Sequence, residues 1–193
     1  MIIGITGGSG SGKTTLLELI QEQGGLVLDC DAIYHELLRS DVSLMRAIEA
    51  RFPGVVQQGE LDRKMLGSIV FADEKALQDL NTITHSAVKQ AVLRRLEEKP
   101  DLAAIDAFGL FEGGLAPLCD VTVAVTAPEE QRIARLVKRE GISPEYAKKR
   151  IDAQHEDSWF RKKCDYCLEN DSDLDAFATK CLAFLSDLGI INA

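Results

Sequence analysis

Apolar residues along this chain come in two rhythms. Short unbroken runs, of the kind that bury a strand on both faces, occur at 1–6, 26–29, 103–106 and 121–125, with a shorter one at 166–168. Between them apolar positions recur at three- and four-residue spacing. Leu16, Leu17 and Ile20 mark a helix over about 14–22; helices over 32–39 and 42–51 follow, the latter with Asp41 as N-cap. Further helices are predicted at 132–139 and 144–154, meeting at Gly141-Ile142-Ser143, and at 174–188. Residues 61–98 favour helix throughout and are too long for one crossover. Breaks are expected at Ala72-Asp73, with Asp73 as a cap, and near Thr84-His85-Ser86. Strands alternating with helices predict a parallel five-stranded sheet covered on both faces, a three-layer α/β/α fold, with 61–98 as a helical insertion.

Composition narrows the class without changing that picture. The 193 residues suit a single unit, with 1–60 and 100–193 as its core. A net charge of −9 argues against a bulk nucleic-acid binder, which needs a basic stripe to neutralise phosphates. Five scattered cysteines fit reduced thiols, and Cys164-x-x-Cys167 has no second pair to complete a metal site. No apolar run approaches the ~20 residues of a membrane span. The chain enters its first strand without a charged leader, so a cytoplasmic protein with no membrane partner is expected. Composition leaves the oligomeric state open, a monomer included.

Gly7-Gly8-Ser9-Gly10-Ser11-Gly12-Lys13-Thr14 completes the pattern G-x-x-x-x-G-K-[ST], after a buried strand and before a helix. Each part has a physical task. The glycines let the backbone double back and aim N–H groups at phosphate oxygens, and the helix N-terminus adds its dipole. Lys13 is placed to reach the β- and γ-phosphates, and the Thr14 hydroxyl to ligate Mg²⁺. A P-loop NTPase fold follows, with Gly8, Ser9, Gly10, Ser11, Gly12, Lys13 and Thr14 as nucleotide-binding residues.

Phosphate binding does not by itself separate a kinase from a switch or a motor. A GTPase switch would need a D-x-x-G after a strand and an N-K-x-D to read guanine, and neither is expected in this chain. A small kinase needs a carboxylate near the acceptor hydroxyl, a cationic lid and an acceptor pocket. Asp29-Cys30-Asp31 closes the second strand, where ligands of open α/β sheets bind, and strand alternation puts both acids on one side. Residues 135–154 form the lid candidate, holding Arg135, Lys138, Arg139, Lys148, Lys149 and Arg150 in an otherwise acidic chain. Asp106 ends an apolar strand and is a candidate carboxylate to hold water bound to the Mg²⁺ ion.

With these pieces in order, the chain resembles the dephospho-CoA kinase family nearly end to end. The resemblance is carried by 3–8 leading into 10–15, by Leu28-Asp29-Cys30-Asp31-Ala32-Ile33, by 59–66 and by Ile69-Val70-Phe71. It continues through Thr84-His85, Leu110-Phe111-Glu112, Asp120-Val121-Thr122-Val123, the lid ending in Gln154, and Asp165-Tyr166 with Asn170-Asp171. It implies ATP-dependent phosphorylation of the ribose 3′-hydroxyl of dephospho-CoA, with Mg²⁺. It also implies Asp31 as base, Arg139 as the lid arginine, and Thr15 and Asn170 on the ATP side. The insertion at 61–98 becomes an acceptor-binding region, with Arg63 and His85 as substrate contacts. Ser86, where the family commonly has proline, and Phe108-Gly109 before Leu110 depart from the pattern on the acceptor side. Two other readings stay open from the residues alone: a kinase for another small acceptor such as a nucleoside or nucleoside monophosphate, and a nucleotide-binding module without transfer.

Overall fold

A computed structural model describes residues 1–191. Its main sheet is built from β1 (Ile2–Thr6), β2 (Leu26–Asp29), β5 (Ala103–Asp106), β6 (Val121–Thr126) and β7 (Tyr166–Glu169), in the order β2-β5-β1-β6-β7. The pairings of β1 with β5 and β6, and of β6 with β7, are parallel. These are the apolar runs of the sequence, and the α/β expectation holds. A second, two-stranded sheet pairs β3 (Val56–Gln57) with β4 (Glu60–Leu61).

Contacts divide the described residues into two compact units, one of Met1–Leu28, Pro100–Leu110 and 116–191, the other of Asp29–Lys99 and Phe111–Leu115. In the first unit, α1 (Lys13–Glu22) and α9 (Leu174–Asp187) lie over one face of the sheet. Alternation along the strands sends Ile3, Ile5, Val121, Val123 and Val125 into that face, against Leu16, Ile20, Phe177 and Phe184. Burying a side chain of this size stabilises by about 1.5–3 kcal/mol, so this layer anchors the strand that carries the glycine loop. Gly4 lies on the opposite side, where a Cβ would come within 2.9 Å of Leu110. The same unit holds α6 (Glu129–Glu140), α7 (Pro144–Asp152) and α8 (Asp157–Lys163). α6 and α7 share a small core of Leu136, Ala147 and Ile151. Gly141 ends α6 in the left-handed region (φ 67°), and the Ser143 hydroxyl caps α7 with Pro144 at its first turn.

The second unit packs α2 (Cys30–Ser40), α3 (Val42–Arg51) and α4 (Arg63–Val70) against α5 (Glu74–Leu96). Asp41 and Asp73 cap α3 and α5 as predicted. Three features differ from the sequence expectation. α5 runs unbroken through Thr84-His85-Ser86, because the buried Thr84 hydroxyl bonds back to Leu80 O at 3.0 Å inside the helix rather than capping a new one. α2 begins at Cys30, so Asp31 lies in its first turn and not on the strand, and Asp29 is the cap, accepting from Asp31 N and Ala32 N. The hairpin β3–β4 turns on Gln58 and Gly59, both at positive φ (53° and 87°), and glutamine carries a much weaker turn signal there than asparagine or aspartate.

Candidate phosphate-binding site

β1 delivers the chain into the loop through Thr6, fully buried, whose hydroxyl donates to Phe108 O at 3.1 Å. The loop then turns hard against its surroundings. Gly10 and Gly12 have φ of 77° and 100°, and Gly12 caps α1 with no side-chain bond. The first-turn N–H groups are therefore uncapped by protein side chains, which is what an anion at a helix N-terminus requires. A Cβ at Gly8 would fall 2.0 Å from Arg132 Nη2. Lys13 opens α1, half-buried, and its Nζ donates across the loop to Gly7 O at 3.1 Å. Thr14 is exposed on the first turn, and Thr15 donates its backbone N–H to Gly12 O at 3.3 Å. Ser11 Oγ is buried and has no hydrogen-bond partner among the described residues, a donor left inside the loop.

Behind the loop stands a brace of side chains from distant elements. Arg132 Nε donates to Ser9 O at 3.0 Å, and Arg135 Nη1 to Gly10 O and Ser11 O at 3.2 Å each. Asn170, at the end of β7 and buried, donates its amide to Ser11 O at 2.9 Å and accepts from Arg135 at 3.1 Å. Gln154, just past α7, accepts from Ser9 N at 2.9 Å and donates to Ser9 Oγ at 2.7 Å. Three consecutive loop carbonyls are thus turned outward onto charged or amide donors. Burial pulls the Arg132 guanidinium below its ordinary range, while Asp157 at 3.7 Å and Glu129 pull it back. Asp157 is in turn pushed up by burial, with Arg132 opposing. Sequence reasoning missed Arg132; its only signal was the three-residue spacing to Arg135, which puts both on one face of α6.

The basic stretch of 135–154 is not a bare cationic surface. Arg139 is exposed on α6 and pairs with Glu140, which Arg150 also engages. Those two arginines hold the Glu140 carboxyl below the usual range. Lys148 bridges Glu129 at 3.0 Å and Asp152 at 2.9 Å, and both raise its pKa. Asp106, half-buried at the end of β5, sits opposite Ile5 of β1 in register, two residues before the loop. It opens Asp106-Ala107-Phe108-Gly109, so the expectation that no D-x-x-G follows a strand is corrected, and the absence of N-K-x-D alone speaks against guanine.

The remaining candidates belong to the second unit. Asp31 is exposed in the first turn of α2, His85 is half-buried on α5, and Arg63 is exposed at the start of α4. Arg63 acts electrostatically on Tyr34, whose hydroxyl burial pushes up and Arg63 draws down. Tyr34 and Arg63 line an apolar pocket of about 210 Å³ together with Leu38, Leu61, Leu66, Val70 and Leu80.

Comparison with known proteins adds an independent line. The family model for dephospho-CoA kinase matches residues 1–176. A dephospho-CoA kinase of Latilactobacillus sakei is 33% identical over 178 residues, covering 90% of this chain and 88% of the relative. A crystal structure from Thermus thermophilus superposes with a TM-score of 0.81 at 33% identity, covering 97% of each chain. A dephospho-CoA kinase of Campylobacter jejuni, at 24% identity and a TM-score of 0.67, covers 97% of this chain and 96% of its own and shares the fold.

Proposed function

The chain belongs to the dephospho-CoA kinase family, and on that premise we propose how its residues divide the transfer of the ATP γ-phosphoryl group to the ribose 3′-hydroxyl of dephospho-CoA. The observation that carries the ATP side is the loop itself: outward carbonyls, an uncapped helix N-terminus and a partnerless Ser11 hydroxyl make a preorganised anion cradle. Residues 8–15 hold the phosphates. Lys13, now bonded to Gly7 O, is within its side chain's reach of their oxygens. Asn170 acts on ATP through the loop that it braces.

On the acceptor side, Asp31 takes the proton of the 3′-hydroxyl. Its oxygen bonds to the γ-phosphorus, the bond from that phosphorus to the β,γ-bridging oxygen breaks, and ADP leaves. Asp31 suits this role because Asp29 already serves as the cap of α2, which leaves the Asp31 carboxylate exposed. Arg139, released from Glu140, balances charge on the transferring group, with 135–154 as the lid. Residues 61–98 bind the acceptor, with Arg63 and His85 as contacts. Mg²⁺ fits the donors present: the Thr14 hydroxyl would be a hard oxygen ligand and the Asp106 carboxylate would accept from water on the ion, a sparse protein set that suits an ion shared with phosphates. When bound, it neutralises charge on the β- and γ-oxygens. No helix among the described residues is long and apolar enough to cross a membrane; we assign the enzyme to the cytoplasm, acting without nucleic acid.

A coupled ADP-release assay with dephospho-CoA, cytidine and shikimate tests the whole reading. Asp31→Asn should lower kcat by about 10²-fold or more with ATP affinity retained, the ordinary weight of a positioned base. Lys13→Ala should weaken both. Unchanged kcat in Asp31→Asn removes the base assignment, and turnover with cytidine or shikimate alone changes the acceptor.

A further inference from the structure

Among the described residues Arg132 is the one charged side chain that is buried, with 5% of its surface exposed. Interring a guanidinium is unfavourable unless its donors are used. Two of them are directed at one residue's surroundings, Nε to Ser9 O at 3.0 Å and Nη2 to Gln154 Oε1 at 2.9 Å. That same Gln154 oxygen accepts from Ser9 N, and the Gln154 amide donates to Ser9 Oγ. Ser9 is therefore held at its N–H, its carbonyl and its hydroxyl by two side chains.

The consequence lies one residue on. A trans peptide points its carbonyl and the following N–H in opposite directions, and no peptide bond among the described residues is cis. With Ser9 O held against Arg132, the N–H of Gly10 faces the other way, away from the brace and into the loop. Gly10 has φ 77° and no Cβ, so no side chain on its C-terminal side opposes the Ser9–Gly10 peptide turning over. Turned over, it would present a carbonyl oxygen to an anion in place of a donor.

We propose that Arg132, with Gln154, is a positioning residue for ATP, locking the Ser9–Gly10 peptide in the orientation that aims Gly10 N–H at the phosphates. This rests on the reading of the loop as the ATP site. Calorimetric ATP binding and steady-state kinetics on Arg132→Met, Arg132→Lys, Gln154→Ala and the Met/Ala double variant test it. Arg132→Met should raise Kd and KM for ATP by about tenfold, the loss of a hydrogen bond from a charged donor, with KM for dephospho-CoA unchanged. Arg132→Lys should recover part, since one ammonium reaches one acceptor and not both. The double variant should be little worse than Arg132→Met, because both side chains act through Ser9. In ¹⁵N-labelled protein the Gly10 amide resonance should shift on adding ATP to the wild type and not to Arg132→Met.

Unchanged ATP affinity in folded Arg132→Met, or an equal rise in KM for both substrates, overturns the assignment, and so does strict additivity. If Arg132→Met does not fold, Gln154→Ala, at a half-exposed site, decides: ATP affinity unaltered there has the same force. A wild type that binds no ATP removes the functional reading itself, whereas a wild type that binds it beside unaffected variants removes only the role of Arg132.

Discussion

A β-carbon at Gly12 would lie 2.2 Å from Asn170 Nδ2, on a backbone already at φ 100°. Gly24 has a similar φ of 78°, yet nothing lies within 4 Å of its would-be Cβ. The two glycines separate strain from collision. Gly24→Ala should cost the protein about 1 kcal/mol, the strain of a left-handed alanine alone. Gly12→Ala adds displacement of the Asn170 amide from Ser11 O, so ATP affinity should fall at least tenfold while β1 and α1 persist; roughly 1.4 kcal/mol of lost binding is enough for that. Equal ATP affinity in the two variants, measured by calorimetry, would show that the Asn170 contact is irrelevant. At this scale the loop was fully legible in the sequence, since each position of its pattern has its own steric or charge requirement. Arg132 was not legible, since an arginine on an amphipathic helix ordinarily faces solvent.

Among the elements, β7 is an edge strand of the main sheet and is stapled rather than merely paired. The Asp165 carboxylate accepts from Thr122 Oγ1 at 2.7 Å and Thr122 N at 2.8 Å, and Asp165 N donates back to Thr122 Oγ1 at 3.1 Å. The Thr122 hydroxyl and then its N–H hold the Asp165 carboxyl below its ordinary value. A depressed carboxylate pKa stabilises the fold above the unfolded value, near 3.8, and that contribution is lost as pH falls through the folded value. The urea midpoint of the wild type should therefore exceed that of Asp165→Asn at about pH 6 and converge on it towards about pH 2.5. A gap constant across that range would mean the carboxylate's charge contributes nothing. The strands themselves were legible because buried parallel strands must be apolar on both faces. The break expected in α5 was wrong for a physical reason: a threonine hydroxyl serves equally as a cap or as a donor to its own helix, and burial against neighbouring helices decided for the latter.

For the molecule as a whole, ligand binding and folding are linked. ATP at about 100 times its Kd should add about 2.7 kcal/mol to the stability of the unit that holds the loop, raising its melting temperature by roughly 5–10 °C. Scanning calorimetry with and without ATP checks this, and no shift at saturating nucleotide would contradict an ATP site. The division into units lies beyond the reach of any single pattern. Asp31 falls with 29–99 and the glycine loop with the sheet, although only sixteen residues lie between Thr14 and Asp31 in the chain.

The sequence by itself determined the five strands of the main sheet, most of the helices between them, the phosphate loop and the family, because hydrophobic period and loop chemistry are local properties that each segment must satisfy on its own. The tertiary structure alone decided what stands behind the loop. Arg132, Gln154 and Asn170 reach it across 123, 145 and 159 residues, and they bind chiefly to its backbone. Every residue has the same carbonyl and, proline apart, the same N–H, so such contacts leave no complementary signature at the position they touch. Only the packing of α6, α7 and β7 around β1 reveals which side chains hold the loop.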